Sequence, residues 1–332
     1  MSKPSTPTYP AAPQSALLTI GAVVIGRNEG PRLAACLASI PAEVHPVIYV
    51  DSGSTDDSVA LAREAGAQVI ALDMTKPFTA ARARNAGLGA LTTLEAVDLV
   101  QFIDGDCTLQ PGWIAAACRT FLGGPKAAVV CGRRRERFPE ASVYNRLCDA
   151  EWDTPVGPAR ACGGDALMRT AAVTAVGGYN PSLIAGEESD LCLRLRAEGW
   201  EVWRIADEMT LHDAGLTRFG QWWKRTRRGG HAFAEGASLH GSTAERHWVA
   251  ETRRALLWGV GAPLVAVVGS FVTSFAGLVV LAYPLQFLRL RRHFGTERAF
   301  FLLLGKLPEA VGVIEFHFNR LRRQRTRLIE YR

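Results

Sequence analysis

The sequence lacks several patterns that would assign it to a common class of protein. None of its seven cysteines forms a C-x-x-C pair, which excludes the usual structural zinc modules. Neither G-x-G-x-x-G nor G-x-x-x-x-G-K-[ST] occurs, so neither a dinucleotide-binding fold nor a P-loop kinase is indicated. Because the cysteines are scattered and no signal peptide is recognisable, we expect reduced thiols in a cytosolic body.

Positive charge is concentrated at one end of the chain. The net charge is +6, and residues 253–332 hold 13 arginine and lysine residues against 4 acidic ones. The other residues carry 25 basic and 28 acidic side chains, so the excess belongs to this tail. The tail surrounds a long apolar stretch and lacks the aromatic-studded polar face of a nucleic-acid binder. An anionic membrane surface is therefore the favoured partner, and no nucleic acid is expected.

The longest apolar run lies within that tail. Residues 255–288 include no charged side chain, whereas one membrane-spanning helix needs about 20 apolar residues. Arginines precede and follow the run, and the positive-inside rule then favours a tight hairpin that returns to the cytoplasm. The alternative is a buried helical hairpin in a soluble domain. The flanking arginines are Arg253, Arg254, Arg289, Arg291 and Arg292.

The body of the chain alternates between buried strands and helices. Residues 1–16 are rich in Pro, Ser and Thr and are predicted to be disordered. Four apolar runs predict strands, at 17–26, 46–54, 67–72 and 98–104, and the segments between them have the residue spacing of helices. This alternation predicts a parallel sheet with helices on both faces. We place this domain at 17–250, the hydrophobic hairpin at 251–292, and a basic amphipathic tail suited to the membrane interface at 293–332.

Polar clusters follow three of the predicted strands, where sheets of this kind gather their chemistry. In the third cluster, Asp104 and Asp106 are separated by one glycine, so two carboxylates converge on a small volume. Like charges at that distance repel each other unless a cation lies between them. Mg²⁺ and Mn²⁺ prefer such oxygen ligands and keep positions open for phosphate oxygens. The other two clusters are "RNE" at 27–29 and "DSGS" at 51–54.

Further candidates come from the second half of the body. His212 follows a predicted strand and would add an imidazole ligand that suits Mn²⁺, although a histidine hydrogen-bonded in a loop is the alternative. Glu187, Glu188 and Asp190 form an acidic cluster that can supply a general base for a hydroxyl group. The alternative is that these acids stabilise the N-terminus of a helix. The sequence alone does not order the three acids.

Seven segments together resemble the family 2 glycosyltransferases, which have the GT-A fold. They span about residues 19–215 in the order of the family: "VVIGRNEG", "YVDSGSTDDS", "ARARNAG", "FIDGDC", "GGDALMR", "VGGYNPSLIAGEESDLCLRL" and "LHD". The resemblance implies an α/β, Rossmann-like nucleotide-sugar domain with a mixed, mostly parallel sheet, followed here by membrane-associated helices. It also implies a metal-dependent, inverting hexosyltransferase that uses a nucleotide-diphosphate sugar and works in bacterial-type glycan assembly.

The resemblance also implies roles for single residues. Asp104 would lie near the ribose and the metal, and Asp106 would bind the metal directly. Glu188 takes the place of the aspartate that many members use as the base. Where many members have a second aspartate, Ser52 stands here, so the nucleotide stays open among UDP, GDP and dTDP. The expected nucleotide-sugar site comprises Arg27, Glu29, Asp51, Ser52, Arg84, Asp104 and Asp165.

The apolar hairpin leads us to expect an acceptor at the cytoplasmic face of the inner membrane, either a glycan or a lipid-linked saccharide. A processive synthase needs several spans to form a channel, so we expect the transfer of a single sugar. One alternative is a non-catalytic membrane-associated scaffold, although a scaffold needs no base. Another is a sugar nucleotidyltransferase, which the short "GRNEG" loop disfavours because such enzymes wrap a triphosphate in a longer glycine-rich loop.

Overall fold

The computed structural model describes residues 18–323, so the disorder predicted for 1–16 and the last residues of the basic tail lie outside the described part. The chain divides into two compact units. The sheet unit comprises the residues up to Pro139, together with Cys148–Pro181 and Glu187–Ala214. The helical unit comprises Glu140–Leu147, Ser182–Gly186 and the residues from Gly215 onward.

Within residues 18–323, nine strands form one sheet. They are β1 Ile20–Gly26, β2 Val44–Asp51, β3 Gln68–Ala71, β4 Leu99–Asp104, β5 Cys107–Leu109, β6 Ala127–Glu136, β7 Gly157–Pro158, β8 Ala166–Arg169 and β9 Glu201–His212. Their order in the sheet is β3-β2-β1-β4-β8-β6-β9-β5, with β7 paired to β9. The four strands predicted from apolar runs are β1 to β4, with ends within three residues of the prediction.

The helices between these strands are α1 Pro31–Ala38, α2 Ser58–Glu64, α3 Ala80–Leu94, α4 Trp113–Gly123, α5 Val143–Trp152, α6 Thr170–Ala175 and α7 Glu187–Ala197. The α3 helix packs closely on the sheet because Gly87 faces it without a side chain. A Cβ atom at Gly87 would lie 2.3 Å from Cγ1 of Val23. The core beneath the helices is fully apolar along β1, where Ala22, Val23 and Val24 have no exposed surface.

The sheet is mixed, as predicted, but the expectation that it is mostly parallel is wrong for its second half. From β3 to β4 all pairings are parallel. Beyond β4, β8 pairs antiparallel with both β4 and β6, and β9 pairs antiparallel with β5 and β7 and parallel with β6. Parallel neighbours need a crossover of about a dozen residues. Only Gly105 and Asp106 separate β4 from β5, so β5 cannot be a parallel neighbour of β4, and it pairs with β9 instead.

The helical unit contains long helices that cross closely. Its helices are α8 Phe219–His240, α9 Val249–Leu256, α10 Ala262–Gly269, α11 Ala282–Phe294, α12 Thr296–Leu304 and α13 Lys306–Leu321. A Cβ atom at Gly312 of α13 would lie 2.0 Å from the carbonyl oxygen of Arg227 on α8. The first domain predicted from the sequence extends to residue 250, and its last helix, α8, packs along α13 and groups with the C-terminal helices.

The apolar run folds as a helical hairpin. A π-helical turn at Leu257–Gly261 joins α9 to α10 in the first leg. The return leg consists of the 3₁₀ helix Ser274–Leu281 followed by α11. The legs lie side by side, because the rings of Trp258 and Tyr283 pack edge to face with centroids 5.3 Å apart. Within residues 18–323, no helix combines the length and the apolar character needed to cross a membrane. The structure therefore does not support the transmembrane helix that the sequence predicts.

Candidate active site

The candidate site lies in the sheet unit, where β1, β2 and β4 end. The strand register places Asp104 beside Ile25, and Asp51 beside Gly26. The parallel pairing thus brings the ends of these strands, with their polar clusters, to one edge of the sheet.

A buried arginine joins three of the predicted site acids. One terminal nitrogen of Arg84, Nη2, lies 2.9 Å from Oδ1 of Asp104. The other, Nη1, lies 2.9 Å from Oε1 of Glu187 and 3.1 Å from Oε1 of Glu188. Although burial alone would raise the pKa of Asp104, the positive charges of Arg84 and Arg134 hold that pKa below its usual value. Asp104 is therefore an anion in the resting site.

Glu188 has the protonation behaviour of a general base that works near neutral pH. Burial, together with the neighbouring carboxylate of Glu187, raises the pKa of Glu188 from 4.5 to about 7, although Arg84 opposes the shift. A carboxylate with that pKa both exists as the base near neutrality and has appreciable affinity for a proton. The desolvation follows from its position, because Glu188 lies in the first turn of α7 and only 17% of its side chain is exposed.

The other two acids of the cluster have different surroundings. Glu187 is buried and contacts Arg84 directly. Asp190 pairs instead with Arg194 one turn along α7, at 2.8 Å from Nη2. Arg194 in turn donates hydrogen bonds to the carbonyl oxygens of Val176 and Gly178. Asp190 thus makes a structural contact, Glu187 and Glu188 share Arg84, and the role of Glu188 as the base stays a prediction.

Two of the three predicted metal ligands, Asp106 and His212, meet at the junction of β5 and β9, whereas Asp104 groups with Asp165 instead. Nε2 of His212 lies 3.3 Å from Oδ1 of Asp106, and both residues are buried. On the other side of the ring, Nδ1 lies 4.0 Å from Oε2 of Glu136. Glu136 is itself fixed, since its carboxylate accepts hydrogen bonds from the backbone N–H groups of Phe138 and Ala214. Glu136 therefore places a negative charge behind the imidazole, at a distance beyond a hydrogen bond.

Asp165 supports the end of β4 from inside the core. It has no exposed surface, and its Oδ1 accepts a hydrogen bond of 3.0 Å from the backbone N–H of Asp104. Its Oδ2 accepts a second bond, of 2.8 Å, from the hydroxyl of Thr210. In this arrangement Asp165 positions Asp104, while the contact with a nucleotide sugar that the resemblance implies stays a prediction.

The remaining predicted nucleotide residues lie on the loops after β1 and β2. Both backbone N–H groups at Gly53 and Ser54 donate to Oδ2 of Asp51 at 3.0 Å, so this carboxylate shapes its own loop. Ser52 is buried beside it. Arg27 is exposed, and Glu29 pairs with Arg32 at 2.8 Å. The binding roles of Arg27, Glu29, Asp51 and Ser52 stay predictions.

Two residues of the site were not found from the sequence. Nη2 of Arg134 lies 3.3 Å from Oδ2 of Asp104, and its guanidinium carbon lies 4.9 Å from the ring centroid of Trp152. The ring of Trp152 also packs edge to face on His212, at 4.8 Å. The only signal for Arg134 is a run of three arginines after the apolar segment of β6. Strand alternation separates the middle arginine from its neighbours, but the neighbouring strand must be known to see what it faces.

Comparisons with known proteins agree with the fold. Residues 22–155 match the model of Glycosyl transferase family 2. The pre-mycofactocin glycosyltransferase of Mycobacterium tuberculosis (strain H37Rv) is 31% identical over 169 residues, which are 46% of this chain and 34% of that protein. A TPR repeat-containing protein of Synechococcus elongatus is 32% identical over 134 residues, which are 40% of this chain and 31% of that protein. The chain thus spans about a third of the length of the curated relatives it matches.

A solved structure resembles most of the chain. The mannosyltransferase of Pyrobaculum calidifontis, in complex with GDP-Man and Mn²⁺, aligns with 93% of this chain and 90% of its own, with a TM-score of 0.64. The identity is 16%, so this likeness shows the fold alone. Residues 22–155 thus match the family predicted from the sequence, and the solved structure shows a GT-A-like α/β fold. The same match agrees with the predicted enzyme class, a glycosyltransferase.

Proposed function

We propose that this protein is an inverting, metal-dependent glycosyltransferase that moves one sugar from a nucleotide-diphosphate sugar to an acceptor hydroxyl. The observation that carries the proposal is the sharing of Arg84 between Asp104 and Glu188, at 2.9 and 3.1 Å. Arg84 thereby joins Asp104, the acid expected at the donor, to Glu188, a carboxylate whose pKa is about 7. A protein that only bound sugars would not need a buried carboxylate tuned in this way.

A divalent cation, Mn²⁺ or Mg²⁺, fits the side chains at the end of β4. Ligands held about 2.0–2.3 Å from one metal lie about 3–4 Å from each other, and the 3.3 Å between Asp106 and His212 agrees with that spacing. Asp106 and His212 would hold the ion, with Asp104 beside it. When bound, such an ion neutralises the negative charge that develops on a diphosphate leaving group. The Mn²⁺ in the structurally similar mannosyltransferase supports the same chemistry.

The protein's own residues supply the rest of the mechanism. Glu188 accepts the proton of the acceptor hydroxyl, and the hydroxyl oxygen attacks the anomeric carbon on the face opposite the diphosphate. The bond to the diphosphate breaks as the new glycosidic bond forms, so the configuration inverts and no covalent enzyme intermediate is needed. Positioning and electrostatic stabilisation provide the rate enhancement. Arg84 holds Asp104 and Glu188 in place for this step.

We also propose that the hairpin places the protein on the cytoplasmic face of the inner membrane, where the acceptor is a glycan or a lipid-linked saccharide. The hairpin tip is unusually exposed for apolar side chains, at 88% for Phe271, 87% for Val272 and 78% for Phe275. The leg from Arg254 to Gly269 is about 22 Å long at 1.5 Å per residue. Inserted tip-first, it would put aromatic side chains among acyl chains and leave arginines at anionic headgroups.

A donor panel tests the transferase proposal. Protein is mixed with UDP-, GDP- and dTDP-sugars, each with Mn²⁺ or with a chelator, and thermal stability and nucleotide release are measured. One nucleotide should raise the melting temperature only with metal, and released nucleoside diphosphate should increase when acceptor lipid extract is added. NMR of the product should show an inverted anomeric centre. A folded protein that binds no donor in any of these conditions would instead be a scaffold.

A vesicle assay tests the membrane proposal separately. Wild-type protein should sediment with vesicles of phosphatidylglycerol and phosphatidylcholine, and less with phosphatidylcholine alone. The double variant with Phe271→Asp and Val272→Asp should stay in the supernatant. Leu94→Asp is the matched control, because Leu94 is an exposed apolar residue of the sheet unit. Equal sedimentation of both variants would contradict the membrane role of the tip.

A further inference from the structure

Two sets of metal-ligating side chains meet where β4 ends and β5 begins. In one set, ligand atoms of Asp106, Cys107 and His212 all lie within 4.8 Å of one another, and all three residues are buried. In the other set, ligand atoms of Asp104, Cys107 and Asp165 also lie within 4.8 Å of one another, but Asp104 is only half-buried. The thiol of Cys107 is common to both sets, although the sequence motif that identifies the two aspartates gives it no role.

Arg134 distinguishes the two sets. Its guanidinium already contacts all three members of the second set: Nη2 lies 3.3 Å from Asp104 and 3.4 Å from the sulfur of Cys107, and Nε lies 3.6 Å from Asp165. A guanidinium among these acceptors neutralises their charge and stands where a second cation would be repelled. The first set is therefore the one with the geometry of a cation site.

The strand pairing explains why a thiol belongs to that first set. Cys107 and His212 are register partners in the antiparallel pair of β5 and β9. Side chains of directly opposite residues point to the same face of a sheet, with Cβ atoms about 4.5–5.5 Å apart. The sulfur of Cys107 also lies 3.5 Å from Oδ1 of Asp106, and that oxygen lies 3.3 Å from Nε2 of His212. These separations match those of ligands that share one ion, about 3–4 Å.

We propose that the sulfur of Cys107 is a third protein ligand of the metal, beside Asp106 and His212. The proposal rests on the proposed function, because it concerns the ion that would serve the transfer reaction. Coordination makes a metal–sulfur bond, and the thiol proton leaves to solvent.

A thiolate ligand changes which ions the site prefers. Mg²⁺ requires hard oxygen ligands, whereas sulfur binds softer ions. The site should therefore discriminate strongly against Mg²⁺ and favour thiophilic divalent ions such as Co²⁺, Zn²⁺ and Cd²⁺. A site built from Asp106 and His212 alone would distinguish these ions less.

Cobalt spectroscopy on the full chain tests the proposal without using activity. Protein is titrated with Co²⁺ alone, and absorbance is recorded in the visible region, which reports binding, and in the near-ultraviolet region, where a sulfur-to-cobalt charge-transfer band appears. Wild type should show both signals at one equivalent. Cys107→Ser should lose the charge-transfer band and bind Cd²⁺ about 10- to 100-fold more weakly.

Cys36→Ser is the matched control. Cys36 is equally buried and lies near the same strand end, with its sulfur 3.7 Å from the carbonyl oxygen of Asp104, but it belongs to neither ligand set. The control should keep both signals. Cys107→Ala provides a second variant should the serine hydroxyl prevent folding, and wild type and Cys36→Ser carry the spectroscopic test by themselves.

The outcomes separate this proposal from the proposed function. Visible cobalt bands in wild type without a charge-transfer band would show that the metal binds without sulfur, which would overturn the role of Cys107 and leave the metal intact. A charge-transfer band that persists in Cys107→Ser would also overturn it. If wild type binds no Co²⁺, or if Asp106→Ala binds Co²⁺ as tightly as wild type does, the metal site as a whole is contradicted.

Discussion

The guanidinium of Arg84 lies 3.1 Å from the carboxylate of Glu188. The same group holds Asp104, at 2.9 Å, so a single buried cation joins the expected donor end of the site to the expected base. Movement of the guanidinium toward a bound diphosphate would weaken its hold on Glu188. Donor binding would then raise the proton affinity of the base before the acceptor reacts.

Glu188→Gln should abolish transfer while donor binding persists. The amide is nearly isosteric but cannot accept the hydroxyl proton, and loss of a general base costs about 10²- to 10⁴-fold in rate. Turnover and the metal-dependent thermal shift with donor are measured together. The control is Asp190→Asn, which removes a carboxylate paired with Arg194 rather than with Arg84. Full activity of Glu188→Gln would move the base to Glu187.

The rate of transfer should increase with pH through about 7. Glu188 must be ionised to act as the base, and its pKa in the folded protein is about 7. Because the positive charge of Arg84 lowers that pKa, Arg84→Met should move the midpoint of the acidic limb to higher pH, whereas Arg84→Lys should leave it nearly in place. The measurement is kcat/KM against pH for all three proteins. An acidic limb near 4.5 in wild type would contradict the assignment of Glu188.

Gly164→Ala should reduce activity without unfolding the protein. A Cβ atom there would lie 2.6 Å from Nη2 of Arg84 and 2.7 Å from Oδ2 of Asp104, so this ion pair would have to move apart. A displacement of about 1 Å at a reacting site costs about 100-fold in rate. The neighbouring Gly163→Ala is the control, because its nearest atom is Nη1 of Arg134 at an ordinary 3.7 Å. Equal kcat/KM values for the two variants would exclude this steric argument.

Chelation should abolish transfer, and Mn²⁺ should restore it. Asp106→Ala and His212→Ala should each weaken Mn²⁺ binding, because each removes one of the donor atoms that lie 3.3 Å apart. Isothermal titration with Mn²⁺ measures this loss directly. Asp213→Asn is the control. Asp213 is adjacent to His212 but lies 3.8 Å from Arg32, so this variant should bind Mn²⁺ as wild type does. Activity that survives an excess of chelator would remove the metal from the mechanism.

Gly312→Ala should destabilise the helical unit. Its Cβ atom would lie 2.0 Å from the backbone oxygen of Arg227, and overpacking of this kind costs about 1–3 kcal/mol in the free energy of unfolding. Gly229→Ala meets no atom within 4 Å, and alanine favours a helix over glycine by about 1 kcal/mol. The two variants should therefore change the urea midpoint in opposite directions. A stable Gly312→Ala protein would contradict the close crossing of α8 and α13.

The sequence by itself determined the features whose signals are local. Apolar β-branched runs predicted β1 to β4, because each buried strand carries its own hydrophobic pattern. The spacing of Asp104 and Asp106 predicted a cation site, because two carboxylates separated by one glycine follow a buried strand. The acids around Glu188 predicted a general base, because they are neighbours in the sequence. The order of the seven segments then indicated the family.

Only the tertiary structure decided how distant residues meet. Arg84 and Glu188 are 104 positions apart, and nothing in either local segment states that they share one ion pair. The pKa of Glu188 follows from that meeting and from burial, both of which require the packed site. Likewise, Cys107 becomes a candidate ligand only because β5 pairs antiparallel with β9 and brings it opposite His212. Local periodicity specifies which face of a strand is buried, whereas the identity of its neighbour depends on the long-range pairing that only the complete fold supplies.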